Sequence, residues 1–460
     1  MAFLGIDLGT SFVKGAVLDL DARRIRHVHR IPFPNLLPNP NPLLREHDPA
    51  ELVNVVGNFL NKLFSLTPDC SGIVMCAQMH GMVLLSDKGQ ARSPCISWRD
   101  ERGMMPHPSG EGSYFDVFSK RISMEHKEEL GNGLRAGTPA CFLFWLAEQG
   151  KLEPGLIPLS IPDFVLHALC GAAPSVDLTN GMAYGLLNLK KLDWHYPAIG
   201  ELGLPRLRWP LLRKHGEVVG HLKVGQRTVP CYTPVGDYQC AMVGALLTTD
   251  ELSLNISTGS QVSRLTPELR LGDYQSRPFF DGKFLNTFTH IPAGRSLNLL
   301  LELLTELAKG EGVCLANPWR YVEQQVTEIE HTDLLVNLHF FASPYGDHGT
   351  ISNISGANLT IGHLFRAAFT NMADNYLKCA FHLWPERSWR NLVFSGGLAF
   401  KLEVLRAIIQ KQFQTDYRLA PCSEDTLLGL MALAMRFSGR AKSVEQAMAE
   451  LRSNGPSYIE

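Results

Sequence analysis

The pattern that most restricts how this 460-residue chain can fold is a short one that occurs twice. "LGIDLGTS" at Leu4–Ser11 aligns with "LNISTGSQ" at Leu254–Gln261, matching Ile6 with Ile256, Gly9 with Gly259 and Thr10 with Ser260 at an offset of 256 − 6 = 250. Each copy reads as an apolar strand, a turn carrying glycine and hydroxyls, and a second strand. A repeat near half the chain length is too long for a solenoid and predicts two related lobes. Taken alone, the match is explained as well by two unrelated hairpins. At roughly 150 residues per domain, the length predicts two or three domains with room for large cores.

The segments around the first copy predict an α/β architecture. "AFLGIDLGTSFVKGAVLDLDARRIRHVHRIPF" reads as a hairpin followed by a third strand. Residues 34–49 are rich in proline and form an irregular connection. Leu52, Val55, Val56, Phe59, Leu60 and Leu63 recur at spacings of three and four, the signature of one buried helix face. "GIVMCAQMHGMVLLSDKG" then predicts a buried strand, a polar break at Gln78–Gly81 and a return strand. Strands alternating with helices place ligand sites at strand ends. The lobe boundary is expected near Gly244–Glu251, and helical periodicity returns in "AGRSLNLLLELLTEL", "IGHLFRAAFTNMADNYLKCAF" and "KLEVLRAIIQKQF".

Composition narrows the function. With 43 basic and 45 acidic side chains the formal net charge is −2, so no global pull toward nucleic acid or an anionic membrane is expected. The ten cysteines are scattered, none in a C-x-x-C pair, and read as reduced, mostly buried thiols of a cytoplasmic protein. The N-terminal residues lack a basic region and meet Asp7 before an apolar stretch forms, so neither a signal peptide nor a spanning helix is expected.

Four places could carry chemistry. In "GIDLGTSFVKG", Asp7 ends a strand and Gly9, Thr10 and Ser11 form a tight turn, where backbone N–H groups and hydroxyls can meet an anion and the carboxylate can hold a cation. Gly-Thr turns also close ordinary hairpins. In "TPVGDYQCAMVGALL", Asp237 lies between a short strand and a helix, suiting either an N-cap or a general base. "AQMHGM" puts His80 in a break between strands, near "SWRDERG" with Trp98, Asp100 and Arg102. A lone histidine there is ordinarily structural, and its neighbours raise a polyol-binding reading. "VFSGGLAFKLEVL" ends a strand at Gly396 and Gly397 and opens a helix, as a phosphate or flat ring requires.

Taken in chain order, these segments resemble the FGGY carbohydrate kinases, whose two actin-like, ribonuclease H-like lobes clamp ATP and sugar in an interlobe cleft. "GIDLGTSFVKGAVLD" is similar to the first phosphate motif, "AQMHGMVLL" to the sugar loop and "SWRDERG" to a W-x-D-x-R stretch. "IPDFVLHALCG", the aspartate turn "VGDYQCA", the second phosphate loop "LNISTGSQ", "GHLFRAAFTNMA", the adenosine motif "VFSGGLAFKLEVLRAII" and the closing helix "EDTLLGLMALAM" follow in the family's order. Three departures stand out. "ASPYGDHGT" replaces a common G-E-R, the adenosine turn has two glycines instead of three, and Ser257 precedes the loop threonine where glycine is frequent.

The resemblance implies an α/β fold of two such lobes, 1–246 for the sugar and catalysis and 247–460 for the nucleotide. It implies an ATP-dependent kinase acting on the terminal hydroxyl of a ketose, with sedoheptulose, giving its 7-phosphate, favoured by "GDYQ" and "NISTGSQ". Asp237 would take the hydroxyl proton and Asp7 would help to hold Mg²⁺. Gln78, Met79, His80, Trp98, Asp100 and Gln239 would line the sugar with Asp237. Gly9, Thr10, Ser11, Lys14, Thr258, Gly259, Ser260, Gly396 and Gly397 would surround ATP. The implied partners are a small-molecule ketose and ATP, not nucleic acid or membrane, with a homodimer among the assemblies allowed. Xylulose or another polyol is the alternative acceptor. An actin-like or chaperone-like ATPase would not need the "QMHG" loop, and a sugar- or nucleotide-binding homologue without turnover is the other non-kinase reading.

Overall fold

The computed structural model describes all residues except 205, 344, 454–457 and 460. The chain forms two compact units. One comprises Met1–Leu246, Pro267–Leu285 and Glu424–Glu460, and the other Leu247–Thr266 and Asn286–Ser423. The chain passes from the first to the second unit between the helix Asp237–Gly244 and the strand Glu251–Ile256, while two later segments return to the first. A division of the chain into 1–246 and 247–460 therefore does not coincide with the division of the packing.

In the first unit the main sheet runs in the order Val218–Val224, Arg227–Tyr232, Ile73–Ala77, Ala2–Leu8, Phe12–Asp19, Arg24–Pro32. Ala2–Leu8 pairs antiparallel with Phe12–Asp19 and parallel with Ile73–Ala77. In the second unit Glu251–Ile256 pairs antiparallel with Ser260–Thr266 and parallel with Asn391–Ser395, which pairs parallel with Tyr417–Leu419. The two copies of the repeat thus occupy equivalent hairpins in equivalent ladders, which an accidental match would not produce.

Period-two alternation sorts the first strand. Leu4, Ile6 and Leu8 enter a core with Leu52, Val56, Phe59, Leu60 and Leu63 of the helix Pro49–Leu66. That helix sits close because Gly15 has no side chain: a Cβ there would meet Leu63 Cδ1 at 2.6 Å and Phe59 Cε1 at 2.7 Å. Asp7 is left on the opposite face, which the helices Asp237–Gly244 and Asp425–Phe437 cover. These two helices meet at a pair of glycines. A Cβ on Gly244 would lie 1.7 Å from the Asp425 carbonyl oxygen, and one on Gly429 would lie 2.0 Å from that of Cys240.

The return strand expected after Gly81 is present and lies outside the main sheet. Met82–Leu85 joins a separate four-stranded sheet with Glu46–His47, Cys95–Ile96 and Ile157–Ser160. All ten cysteines are free, and seven are buried. No described helix is long and apolar enough to cross a membrane.

Candidate active site

In the first unit, four elements deliver polar groups to the covered face of the strand Ala2–Leu8. Asp7, at its carboxyl end, is 4% exposed, and its Oδ2 accepts from Thr426 Oγ1 at 2.8 Å. Lys14, on the facing strand, places Nζ 3.6 Å from Asp7 Oδ2 and 3.3 Å from Glu424 Oε2. Arg30 closes on the other oxygen of Glu424. Burial pushes the Asp7 carboxyl up, against the pull of Lys14 and the Thr426 hydroxyl. Burial pulls Lys14 down, and the charges of Asp7 and Glu424 more than offset it, leaving a lysine held in its charged form.

Asp237 is the first residue of its helix, with Gly236 as the N-cap and no side-chain capping bond. Burial, then the charge of Asp7, pushes its carboxyl up to about 7, opposed by the Tyr238 backbone N–H and the Arg277 charge. A carboxyl that titrates there is poised to exchange a proton near neutrality. Asp425, which opens the neighbouring helix, is pushed by burial up to about 6. Three acids, Asp7, Glu424 and Asp425, thus gather around the Lys14 ammonium, and Asp237 lies close enough to Asp7 and Asp425 to feel their charge.

Two amide side chains flank Asp237. Gln239 donates Nε2 to the Pro278 carbonyl at 3.4 Å, and Gln78 donates Nε2 to the Gly9 carbonyl at 3.5 Å. The Oε1 atoms of both are buried without a hydrogen-bond partner. Buried acceptors left open invite a donor such as a hydroxyl. Gly236 makes room for Gln239 and Met79, since a Cβ there would meet Gln239 Oε1 at 2.9 Å and Met79 Sδ at 3.0 Å. His80 adopts a positive φ of 68° and its Nδ1 bonds the Ala183 carbonyl at 2.7 Å, which fixes the ring. Trp98, 38% exposed, donates Nε1 to Thr10 Oγ1 at 2.9 Å, tying the turn Gly9–Ser11 to the W-x-D-x-R loop.

Asp100 presents a different picture. It accepts from the backbone N–H groups of Arg45 and Arg102, at 2.8 Å and 3.0 Å, and from Nε and Nη2 of Arg102, at 2.7 Å and 2.8 Å. Its oxygens are saturated, and Arg102 also pairs with Glu46 at 2.6 Å. This knot secures the loop and leaves no oxygen of Asp100 open to a ligand.

In the second unit the repeat's turn, Ser257–Gly259, leads into Ser260, whose buried Oγ pairs with Tyr376 Oη at 2.7 Å. The Thr258 carbonyl accepts from the Arg295 N–H at 2.8 Å, while Gly259 is open, with nothing within 4 Å of a built Cβ. Gly396 stands at φ 87°, and a Cβ there would come within 2.5 Å of the Ile256 carbonyl oxygen. Only glycine fits that position. Gly397 opens the helix Gly397–Lys401 with free space around it.

Glu424, Asp425 and Thr426, inside the motif "EDTLLGLMALAM", and Arg277 are neighbours of Asp7 and Asp237 that the sequence alone does not single out. The available signals were two adjacent acids directly before an apolar helix, and a lone arginine in "QSRPFF".

Comparison with known proteins extends along most of the chain. Residues 2–244 match the model of the N-terminal domain of the FGGY family of carbohydrate kinases. The chain is similar to the sedoheptulokinase of Mus musculus, 22% identical over 456 residues that cover 89% of this chain and 92% of that protein. Among solved structures it is similar to a xylulose kinase from Rhodospirillum rubrum, with a TM-score of 0.84, 18% identity, and coverage of 98% and 92% of the two chains. It is also similar to Plasmodium falciparum glycerol kinase with ADP, with a TM-score of 0.81, 16% identity, and coverage of 100% and 94%. A family match over more than half of the chain, joined to the duplicated α/β units and the acid cluster that packing assembles, leads to one conclusion: the chain belongs to the FGGY family of carbohydrate kinases.

Proposed function

We propose that this kinase transfers the γ-phosphoryl group of ATP to the terminal hydroxyl of a ketose, with sedoheptulose, giving the 7-phosphate, the favoured acceptor and xylulose or another ketose or polyol the alternative. The observation that carries the reading is Asp237: a buried carboxyl held near neutrality beside the open amide oxygens of Gln78 and Gln239. Those oxygens suit sugar hydroxyls. As the acceptor oxygen bonds to phosphorus and the bond from phosphorus to the ADP oxygen breaks, the hydroxyl proton passes to an Asp237 oxygen. Little covalent help is needed beyond this, because phosphoryl transfer depends on positioning and on neutralising charge.

The nucleotide residues of this reading are Gly9, Thr10, Ser11 and Lys14 in the first unit and Thr258, Gly259, Ser260, Gly396 and Gly397 in the second. Lys14 carries a charge suited to phosphate oxygens, and Gly259, Gly396 and Gly397 allow close backbone approach. Asp7 fits Mg²⁺ as this cation is ordinarily held, through one or two carboxylates with phosphates and water completing the shell. Thr426 and Lys14 engage only its Oδ2, so Oδ1 remains for the ion or its water. Bound there, Mg²⁺ would supply charge neutralisation on the phosphates. Cytoplasmic location belongs to the same reading, supported by ten free cysteines; a homodimer is one assembly it allows, checked by light scattering.

A coupled ADP-release assay over sedoheptulose, xylulose, ribulose, glycerol and fructose tests the acceptor. Sedoheptulose is expected to give the highest kcat/KM of these five. Equal or better efficiency with xylulose would sink that ranking.

A further inference from the structure

In the first unit, the residue before Asp237 serves two demands that conflict. Glycine at 236 leaves room for the ends of Gln239 and Met79, which a Cβ would meet at 2.9 Å and 3.0 Å. Glycine also has the most freely turning backbone of any residue, so the carboxylate follows directly on a soft joint. Gly236 holds φ −66° and ψ 134° as the N-cap of the helix Asp237–Gly244, and the direction of Asp237, the first helical residue, depends on those angles.

The joint is fastened from both edges of the strand Val235–Gly236. One edge is a parallel ladder in which Val235 pairs with Cys76 and Gly236 with Ala77. In an extended segment the carbonyl of one residue and the N–H two residues on point to the same edge. At the second edge these two groups, from Pro234 and Gly236, meet side chains instead of a strand. Thr179 Oγ1 accepts the Gly236 N–H at 2.8 Å, and Asn180 Nδ2 donates to the Pro234 carbonyl at 3.1 Å.

Thr179 is itself fixed. Its N–H donates to Asp177 Oδ1 at 2.7 Å, and its hydroxyl donates to the same oxygen. Asp177 ends the strand Ser175–Asp177, which pairs in parallel with Leu211–Arg213. A hydroxyl has one hydrogen, and with that hydrogen committed to a carboxylate the oxygen is left to accept. Asp177, Thr179 and Asn180 are all buried. A buried N–H needs a partner, and here the only one recorded for Gly236 outside the sheet is this hydroxyl.

We propose that Thr179 is a positioning residue for phosphoryl transfer: by accepting the Gly236 N–H it locks the glycine joint and thereby aims the Asp237 carboxylate at the acceptor hydroxyl. The inference rests on the reading of Asp237 as the base. Asp177 orients the Thr179 hydroxyl, and Asn180 holds the preceding carbonyl.

The test is a double-substitution cycle on the full-length protein, with kcat and KM read by ADP release on whichever of the five acceptors turns over fastest. Thr179→Val keeps the shape of the side chain and removes its acceptor, whereas Thr179→Ser keeps the acceptor. Thr179→Val is expected to lower kcat roughly tenfold to a hundredfold with the KM for ATP unchanged, since a misplacement of about 1 Å costs on the order of 10²-fold. Thr179→Ser should retain near-parent kcat. In Asp237→Asn, which has no base to aim, adding Thr179→Val should cost little more. Parent-like kcat in a folded Thr179→Val, a Ser variant as slow as Val, or an equal loss in the Asp237→Asn background would overturn the proposal and leave the base in place. Near-parent turnover of Asp237→Asn alone would instead remove the base, and this inference with it. Should Thr179→Val not fold, hydrogen exchange at the Gly236 amide of the parent, resolved by fragmentation mass spectrometry, decides. Strong protection is expected there, and exchange at the rate of an exposed amide would overturn the clamp.

Discussion

Replacing Asp237 by Asn separates catalysis from stability, because the same burial that readies the carboxyl also makes its charge costly. The folded-state value of about 7 stands roughly three units above the ordinary 3.8. At 1.36 kcal/mol per unit this is about 4 kcal/mol, an upper bound on what the ionised carboxylate costs the fold. The folded state binds the extra proton between these two values, so the cost is absent below about pH 4, grows as pH rises and is complete above about pH 7. Asn is neutral throughout. Asp237→Asn is therefore expected to melt several degrees above the parent at pH 8, with the gap shrinking toward pH 5.

Turnover should move the other way. A general base typically contributes on the order of 10²- to 10⁴-fold, and loose phosphoryl transfer points to the low end, so a loss of at least about a hundredfold is expected. In the parent, kcat/KM should rise with pH and level off above about 7, as the carboxyl loses its proton, and that inflection should vanish in the variant. Steady-state ADP release from pH 5.5 to 9, with melting curves on the same samples, reads both effects. A folded Asn variant with near-parent turnover would refute the role of Asp237 as base. Equal melting temperatures at pH 8 and pH 5 would refute the energetic account of its burial.

Two further outcomes follow from the packing. Asp7→Ala should lower turnover for every acceptor alike and raise the Mg²⁺ concentration needed for half-maximal rate, since a triphosphate misplaced by about 1 Å costs on the order of 10²-fold; an unchanged Mg²⁺ titration would remove Asp7 from the metal's neighbourhood. Gly244→Ala would set a Cβ 1.7 Å from the Asp425 carbonyl oxygen, forcing apart the helices that bear Asp237 and Asp425, and should destabilise by about 1–3 kcal/mol or more and lower turnover. The open Gly259 is its control, with Gly259→Ala expected to change stability by under about 0.5 kcal/mol in denaturant titration.

The elements were legible in the sequence because their causes are local. Period-two alternation made Ala2–Leu8 a strand with Asp7 on the face away from Leu4 and Ile6, spacing made Pro49–Leu66 a helix, and the repeated glycine and hydroxyl turn announced two related units. Asp237 was legible as a candidate because a carboxylate between a strand and a helix is a recognisable local pattern. What it meets was decided only by the tertiary structure. Thr426 reaches Asp7 across 419 positions, and the two helices approach because Gly244 and Gly429 leave no side chain between them. Asp100, as plausible in sequence as Asp237, is saturated by Arg102, while Arg277 is brought back from beyond the second hairpin with a donor unused. Residue type and spacing declare which groups can ionise or donate; desolvation and long-range contact determine which remain charged, buried and unsatisfied, and those are set by which distant surfaces pack together.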